Sequence, residues 1–117
     1  MKFENLEVWK RATQLCVGIY WILQKLRDYD FKDQITRSAL SVPSNIAEGF
    51  ERSSQRECLG FLSYAKGSCG ELKTQIHIAM EIEYVDRETG NAWLNEAQEI
   101  SQMIGGLMKT KRNFLSE

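Results

Sequence analysis

The sequence predicts an all-α fold, an antiparallel up-down-up-down four-helix bundle. Apolar residues recur at steps of three and four along nearly the whole chain, the period of helices that bury one face. One proline stands against eight glycines, which suits long helices and disfavours a turn-rich β protein. The 117 residues amount to one domain, so the periodic segments share one core over 1–117. The links between segments are a few residues long, so consecutive helices pack antiparallel.

The first helix is expected over about 5–28. Trp9, Ala12, Cys16, Ile19, Leu23 and Leu26 form a heptad-like seam. Val8, Leu15 and Ile22 widen that face, so this helix touches more than one neighbour. Asn5 is its expected N-cap. Asp30 caps the second helix, over about 31–49, whose stripe is Phe31, Ile35, Ala39, Val42, Ile46 and Phe50. Pro43 lies inside that stripe. It removes one backbone hydrogen bond and crowds the carbonyl of Ala39, which predicts a kink; the stripe continuing on both sides argues against a break. Gly49 is the expected end, in the left-handed cap that glycine takes at little cost.

Ser54-Gln55-Arg56-Glu57 has the capping-box form, which starts the third helix, over about 54–83. Its seam is Cys58, Leu62, Ala65, Cys69, Leu72, Ile76 and Ala79. Gly60, Gly67 and Gly70 weaken it by up to ~1 kcal/mol each relative to Ala, and small residues let a neighbouring backbone come close. Asp86 caps the fourth helix, over about 87–115, with Trp93, Ala97, Ile100, Ile104, Leu107 and Phe114 on its seam and Lys111 in the intervening slot. Lys109, Lys111 and Arg112 in its last turns complement the helix dipole.

Charge and chemistry narrow the function classes. The net charge is −1, unlike the strongly basic balance of domains that bind nucleic acid through bulk charge. Charged residues at 26% and hydrophobic residues at 43% are ordinary globular usage, which excludes disorder. Cys16, Cys58 and Cys69 are odd in number, contain no Cys-x-x-Cys pair and fall on apolar stripes, so they read as reduced core thiols. The charged N-terminal stretch is no signal peptide, and no apolar run approaches the ~20 residues that span a bilayer. A cytoplasmic location is expected, with no membrane partner. A di-iron bundle needs Glu-x-x-His on two helices, but the one histidine, His77, follows Thr74 at that spacing. Neither a Gly-x-Ser-x-Gly elbow nor a phosphate-binding loop is present. Ser41 has no histidine near it in sequence. The expectation is a non-enzyme with no metal and no cofactor.

The second helix carries a second stripe. Gln34, Arg37, Ser41, Asn45, Glu48 and Arg52 line one edge, with short hydrogen-bonding groups where a solvated edge usually carries Lys and Glu. Arg37 and Glu48 are ~16 Å apart along the axis and cannot pair. The third helix offers Ser68, Glu71 and Gln75, and a pairing of Arg37 with Glu71 is expected. The stripe serves either as a polar layer that sets helix register or as a ligand or partner site.

The run from Gln34 to Gly49, with its Arg-Ser-Ala-x-Ser-Val-Pro-Ser-Asn-Ile-Ala-Glu-Gly core, resembles the signature of the bacterial family of proteins encoded in intervening sequences of 23S rRNA genes. Phe3, Leu6, Val8, Trp9 and Ala12 resemble that family's opening, and Ala65 to Leu72 resembles its third-helix motif. The resemblance implies an antiparallel four-helix bundle that assembles into a barrel-like homopentamer of unassigned molecular role. It also points to a related branch, the basic, pentameric accessory protein of diversity-generating retroelements, which works with a reverse transcriptase and nucleic acid. This chain departs from that branch in charge. Local basic patches at Arg52 and Arg56, and at Lys109, Lys111 and Arg112, are the candidate nucleic-acid contacts. The function expected is a non-catalytic homo-oligomeric scaffold for a protein or nucleic-acid partner, with RNA binding through those patches as the alternative. Tyr20, Trp21, Phe61 and Tyr64 support assembly, being more aromatics than one small bundle readily buries.

Overall fold

A computed structural model describes residues 2–116; Met1 and Glu117, the ends of the expected domain, lie outside the described residues. A single 3-10 turn, Phe3–Asn5, leads into α1 (Glu7–Leu23), α2 (Tyr29–Glu51), α3 (Gln55–Glu81) and α4 (Arg87–Ser116). α2 packs between α1 and α3, and α4 closes the square against α3 and α1. α1 and α3 are therefore diagonal, and α1 is the shortest of the four helices. The bundle measures 49 × 22 × 19 Å. Its long dimension is close to the ~45 Å that α4 spans at ~1.5 Å per residue.

Local chemistry places two of the helix starts where expected. Ser54 Oγ accepts from the Glu57 N–H at 3.1 Å, and Asp86 Oδ1 accepts from the Thr89 N–H at 2.7 Å. Other boundaries move. Asn5 lies in the 3-10 turn, and Leu6 takes the N-cap of α1 without a side-chain bond. α1 stops at Leu23, short of 28. Asp28, not Asp30, caps α2: one carboxylate oxygen accepts from the Phe31 N–H at 3.1 Å and the other from the Tyr84 hydroxyl at 2.6 Å. Both bonds favour the ionised form and pull the Asp28 pKa down.

α2 runs through Pro43 without a break and past Gly49 to Glu51. Gly49 is thus no cap. A Cβ there would meet the Cys58 carbonyl oxygen and Phe61 Cβ at 3.2 Å, so this glycine lets α2 and α3 approach closely. The left-handed cap occurs instead at Glu83 after α3, with φ 63°. Tyr84 N–H bonds the Ala79 carbonyl at 2.8 Å and Glu83 N–H bonds the Met80 carbonyl at 3.1 Å, the paired bonds of a Schellman motif.

Ile19, Ile35, Ile46, Leu62, Ile76 and Ile104 are completely buried, and Trp93 is 8% exposed. Two expected seam residues are not in the core: Ile22 and Phe114 are each 56% exposed. On α4 Met108 is buried and Leu107 only partly so. A straight helix drifts ~20° per heptad against a strict seven-residue repeat, so a seam laid down at Trp93 has rotated by the last turns. The three cysteines are buried. Burial raises all three thiol pKa values, that of Cys69 to about 11, as expected of inert core thiols.

Candidate interaction surface

The polar stripe of α2 splits into three parts. Its centre meets α3: the Ser41 and Ser68 hydroxyls are 2.8 Å apart, and Asn45 Nδ2 donates to both Ser41 Oγ and the Ser41 carbonyl at 2.9 Å. Ser68 is buried. Gln75, two turns further along α3, has its Oε1 shielded from solvent with no hydrogen bond among the described residues. At one end Glu48 and Arg52 form an ion pair one turn apart, with Arg52 also 4.9 Å from the centroid of the Phe61 ring. The remaining part, Gln34 and Arg37, is exposed. The expected Arg37–Glu71 pair does not form: both side chains are exposed, and neither makes an ion pair among the described residues. Arg37 sits on the outermost line of α2, too far round the helix from α3 to reach across.

The larger ion-pair cluster joins α1 to α4. Arg11 donates to both Glu96 oxygens, through Nε at 2.8 Å, and to Glu99 at 3.0 Å. These bonds raise the arginine pKa and lower that of Glu96. The cluster ties α1 to α4.

On the outer side of α1 and α2 the chain carries an apolar groove. Val17, Tyr20, Trp21 and Leu40 line one stretch of about 450 Å³. The groove continues through Cys16, Val17 and Leu40 into a second stretch of about 390 Å³ walled by Phe3, Trp9 and Pro43. Among the lining residues of both stretches there is no Lys, Arg, His, Asp or Glu. Tyr20 is 46%, Val17 50%, Leu40 50% and Trp21 66% exposed. The surplus aromatics Tyr20 and Trp21 were readable in the sequence. Val17 and Leu40 were not, because each lies one position off a core stripe.

The two basic clusters meet at one end of the bundle, where α2 ends, α3 begins and α4 terminates. Arg52 and Lys111 line the same small cavity of about 90 Å³, beside Ser54 and Gln55. Lys111 Nζ is 4.9 Å from the Phe50 ring centroid. Arg56, Lys109 and Arg112 are exposed. His77 is exposed as well. Among the described residues, no group of three His, Cys, Asp or Glu side chains is placed to hold a metal ion. Among the same residues, no helix is long and apolar enough to cross a membrane.

The profile of the 23S rRNA-intervening sequence proteins matches residues 4–106, which hold the stripe and the groove. The chain belongs to that family. The match ends before Lys109, Lys111, Arg112 and the exposed Phe114, so three of the five basic residues at that end lie outside it. Among solved structures, this family member is similar to a crystal structure of a protein of unknown function from the S23 ribosomal protein family of Bacteroides thetaiotaomicron. The TM-score is 0.81 at 24% identity, over 87% of this chain and 98% of that one, which shows a shared fold. A comparison with curated proteins returned no match. Neither the family nor the structural neighbour carries an enzymatic assignment.

Proposed function

We propose that this chain is a non-catalytic, homo-oligomeric helical-bundle scaffold that holds a protein or nucleic-acid partner. The observation that carries the reading is the α1–α2 groove, an uncharged wall with four large apolar side chains 46–66% exposed. Completing the burial of each contributes roughly 1 kcal/mol. That total only approaches what association costs in lost translation and rotation, so the groove is the anchor of a wider contact. The family resemblance favours a ring of five copies. The polar stripe favours a non-catalytic role: the hydrogen-bond partners of Ser41 are Ser68 and Asn45, not His77.

Native mass spectrometry at near-physiological ionic strength tests this. A single homo-oligomer is expected, and Trp21→Glu is expected to give folded monomers. A monomeric wild-type protein refutes the scaffold reading.

A second reading, RNA binding, is favoured by Arg52 and Lys111 lining one cavity beside Arg56. It requires an affinity that falls steeply with salt. It also requires that charge reversal at Arg52 and Arg56 weaken binding; unchanged binding after reversal refutes it.

A further inference from the structure

The groove, walled by α1 and α2, has a counterpart on the outward face of α3. Since α1 and α3 are diagonal, the outward faces of these two helices point away from each other. Gly60, Ser63, Gly67, Gly70 and Thr74 follow one another at steps of three and four on α3, and all five are exposed. A Cβ added at Gly60, Gly67 or Gly70 would meet nothing within 4 Å. Among the described residues no close approach uses these glycines, in contrast to Gly49. The result is a helix face without side-chain bulk, flanked by Tyr64 at 66% exposure.

The charges beside the two faces are opposite. Arg37 lies one turn from Leu40 at the rim of the groove, and Glu71 lies one turn from Gly67 at the edge of the α3 face. Both are exposed and without an ion pair among the described residues. Bulk stands proud on one side and is missing on the other, with a free cation by the first and a free anion by the second.

We propose that the groove is covered by the outward face of α3 of a second copy. Val17, Trp21 and Leu40 seat against the flat helix, and Arg37 pairs with Glu71 of the partner subunit. This inference rests on the self-association reading and specifies its contact. The contact joins two different surfaces, so it is head-to-tail, and every added copy still offers one free face of each kind. Such contacts close into rings when the rotation allows. A groove-on-groove contact would stop at two copies and leave Arg37 and Glu71 unused.

Mixing two variants, each disabled on one face, tests the proposal. Trp21→Glu spoils the groove and leaves the α3 face intact. Gly67→Gln with Gly70→Gln fills the α3 face and leaves the groove intact. The Gln variant has room for its new side chains and a better helix former at each position, so it is expected to melt at or above the temperature of the equally monomeric Trp21→Glu variant. Alone, each is expected to be a monomer by native mass spectrometry. Mixed, they are expected to form one 1:1 heterodimer and nothing larger. A charge swap supplies a second readout: Arg37→Glu and Glu71→Arg each weaken assembly at least tenfold, and together they restore it. If the wild type assembles but the Gln variant also self-associates, or the mixture gives no heterodimer, the head-to-tail contact is refuted and the scaffold reading stands. If the wild type is monomeric, both fall.

Discussion

Glycine-to-alanine substitution on α4 is expected to have opposite signs at two sites, for reasons visible in the packing. Gly90 is buried in the first turn, where a Cβ would overlap Met80 Cγ and Sδ. Met80 is 5% exposed, so its side chain has little space to retreat. Overpacking of this kind costs typically about 1–3 kcal/mol. The helix-propensity gain of Ala over Gly is at most about 1 kcal/mol and smaller in a first turn. Gly90→Ala is therefore expected to destabilise by about 1–2 kcal/mol. Gly106 is exposed with nothing within 4 Å of an added Cβ, so Gly106→Ala is expected to stabilise by about 0.5–1 kcal/mol. At the unfolding entropy usual for a chain of this length, 1 kcal/mol moves the melting temperature by about 4 °C. Calorimetry at one protein concentration is the assay, with Met80→Ala added to Gly90→Ala to close a double-mutant cycle. A coupling of about 1 kcal/mol in favour of the double variant is expected, since removing Met80 bulk relieves the overlap. A Gly90→Ala protein that melts at or above wild type refutes the packing argument.

Other consequences are equally direct. Glu83→Gly is expected to stabilise by about 0.5–1 kcal/mol, because a left-handed cap strains every residue with a Cβ; an unchanged or lower urea midpoint counts against it. The Arg11 bonds hold the Glu96 pKa below the usual carboxylate range, so this pair contributes stability above the unfolded-state value of about 4.3 and loses it as pH falls through the lower folded value. A plot of melting temperature against pH below 5 is expected to be flatter for Glu96→Gln than for wild type, and parallel curves would contradict the assignment. In the monomeric Trp21→Glu background, Arg37→Met is expected to change unfolding stability by less than about 0.5 kcal/mol, since within one chain the side chain is exposed and makes no ion pair among the described residues; a loss of several kcal/mol would mean a buried partner in the same chain. In the folded protein all three thiols are expected to react with a thiol reagent far more slowly than in denaturant, Cys69 slowest; rapid labelling of Cys69 refutes its burial.

Much of the fold was legible because helix signals are local. The Ser54–Glu57 box and the Asp86 cap act within one turn, and the buried seams of α1, α2 and α3 follow from spacing alone. The misplaced features depend on neighbours in space. Asp30 is the cap expected from the sequence, but the Tyr84 hydroxyl, from the link between α3 and α4, bonds Asp28 and holds it in place as the cap. Gly49 has the residue type of a cap, but the approach of the α3 backbone gives it its role. Of the candidate site, the Ser41–Asn45–Ser68 centre joins two stripes visible in the sequence, whereas the pairing of Arg37 with Glu71 does not form because spacing along one helix says nothing of its rotation about its axis.

By itself, the sequence determined that this protein is four helices with apolar faces, short links and family motifs on the second and third. Periodicity and caps are properties of neighbours within one or two turns. Only the tertiary structure decided that α1 stands diagonal to α3 and is held by Arg11 against Glu96. It also decided that Val17, Trp21 and Leu40 line a groove left uncovered by the described residues, while Gly60, Gly67 and Gly70 face outward on α3. Whether an apolar or a glycine position is covered depends on which helix stands next to it, a relation between residues distant in the chain that no local pattern encodes.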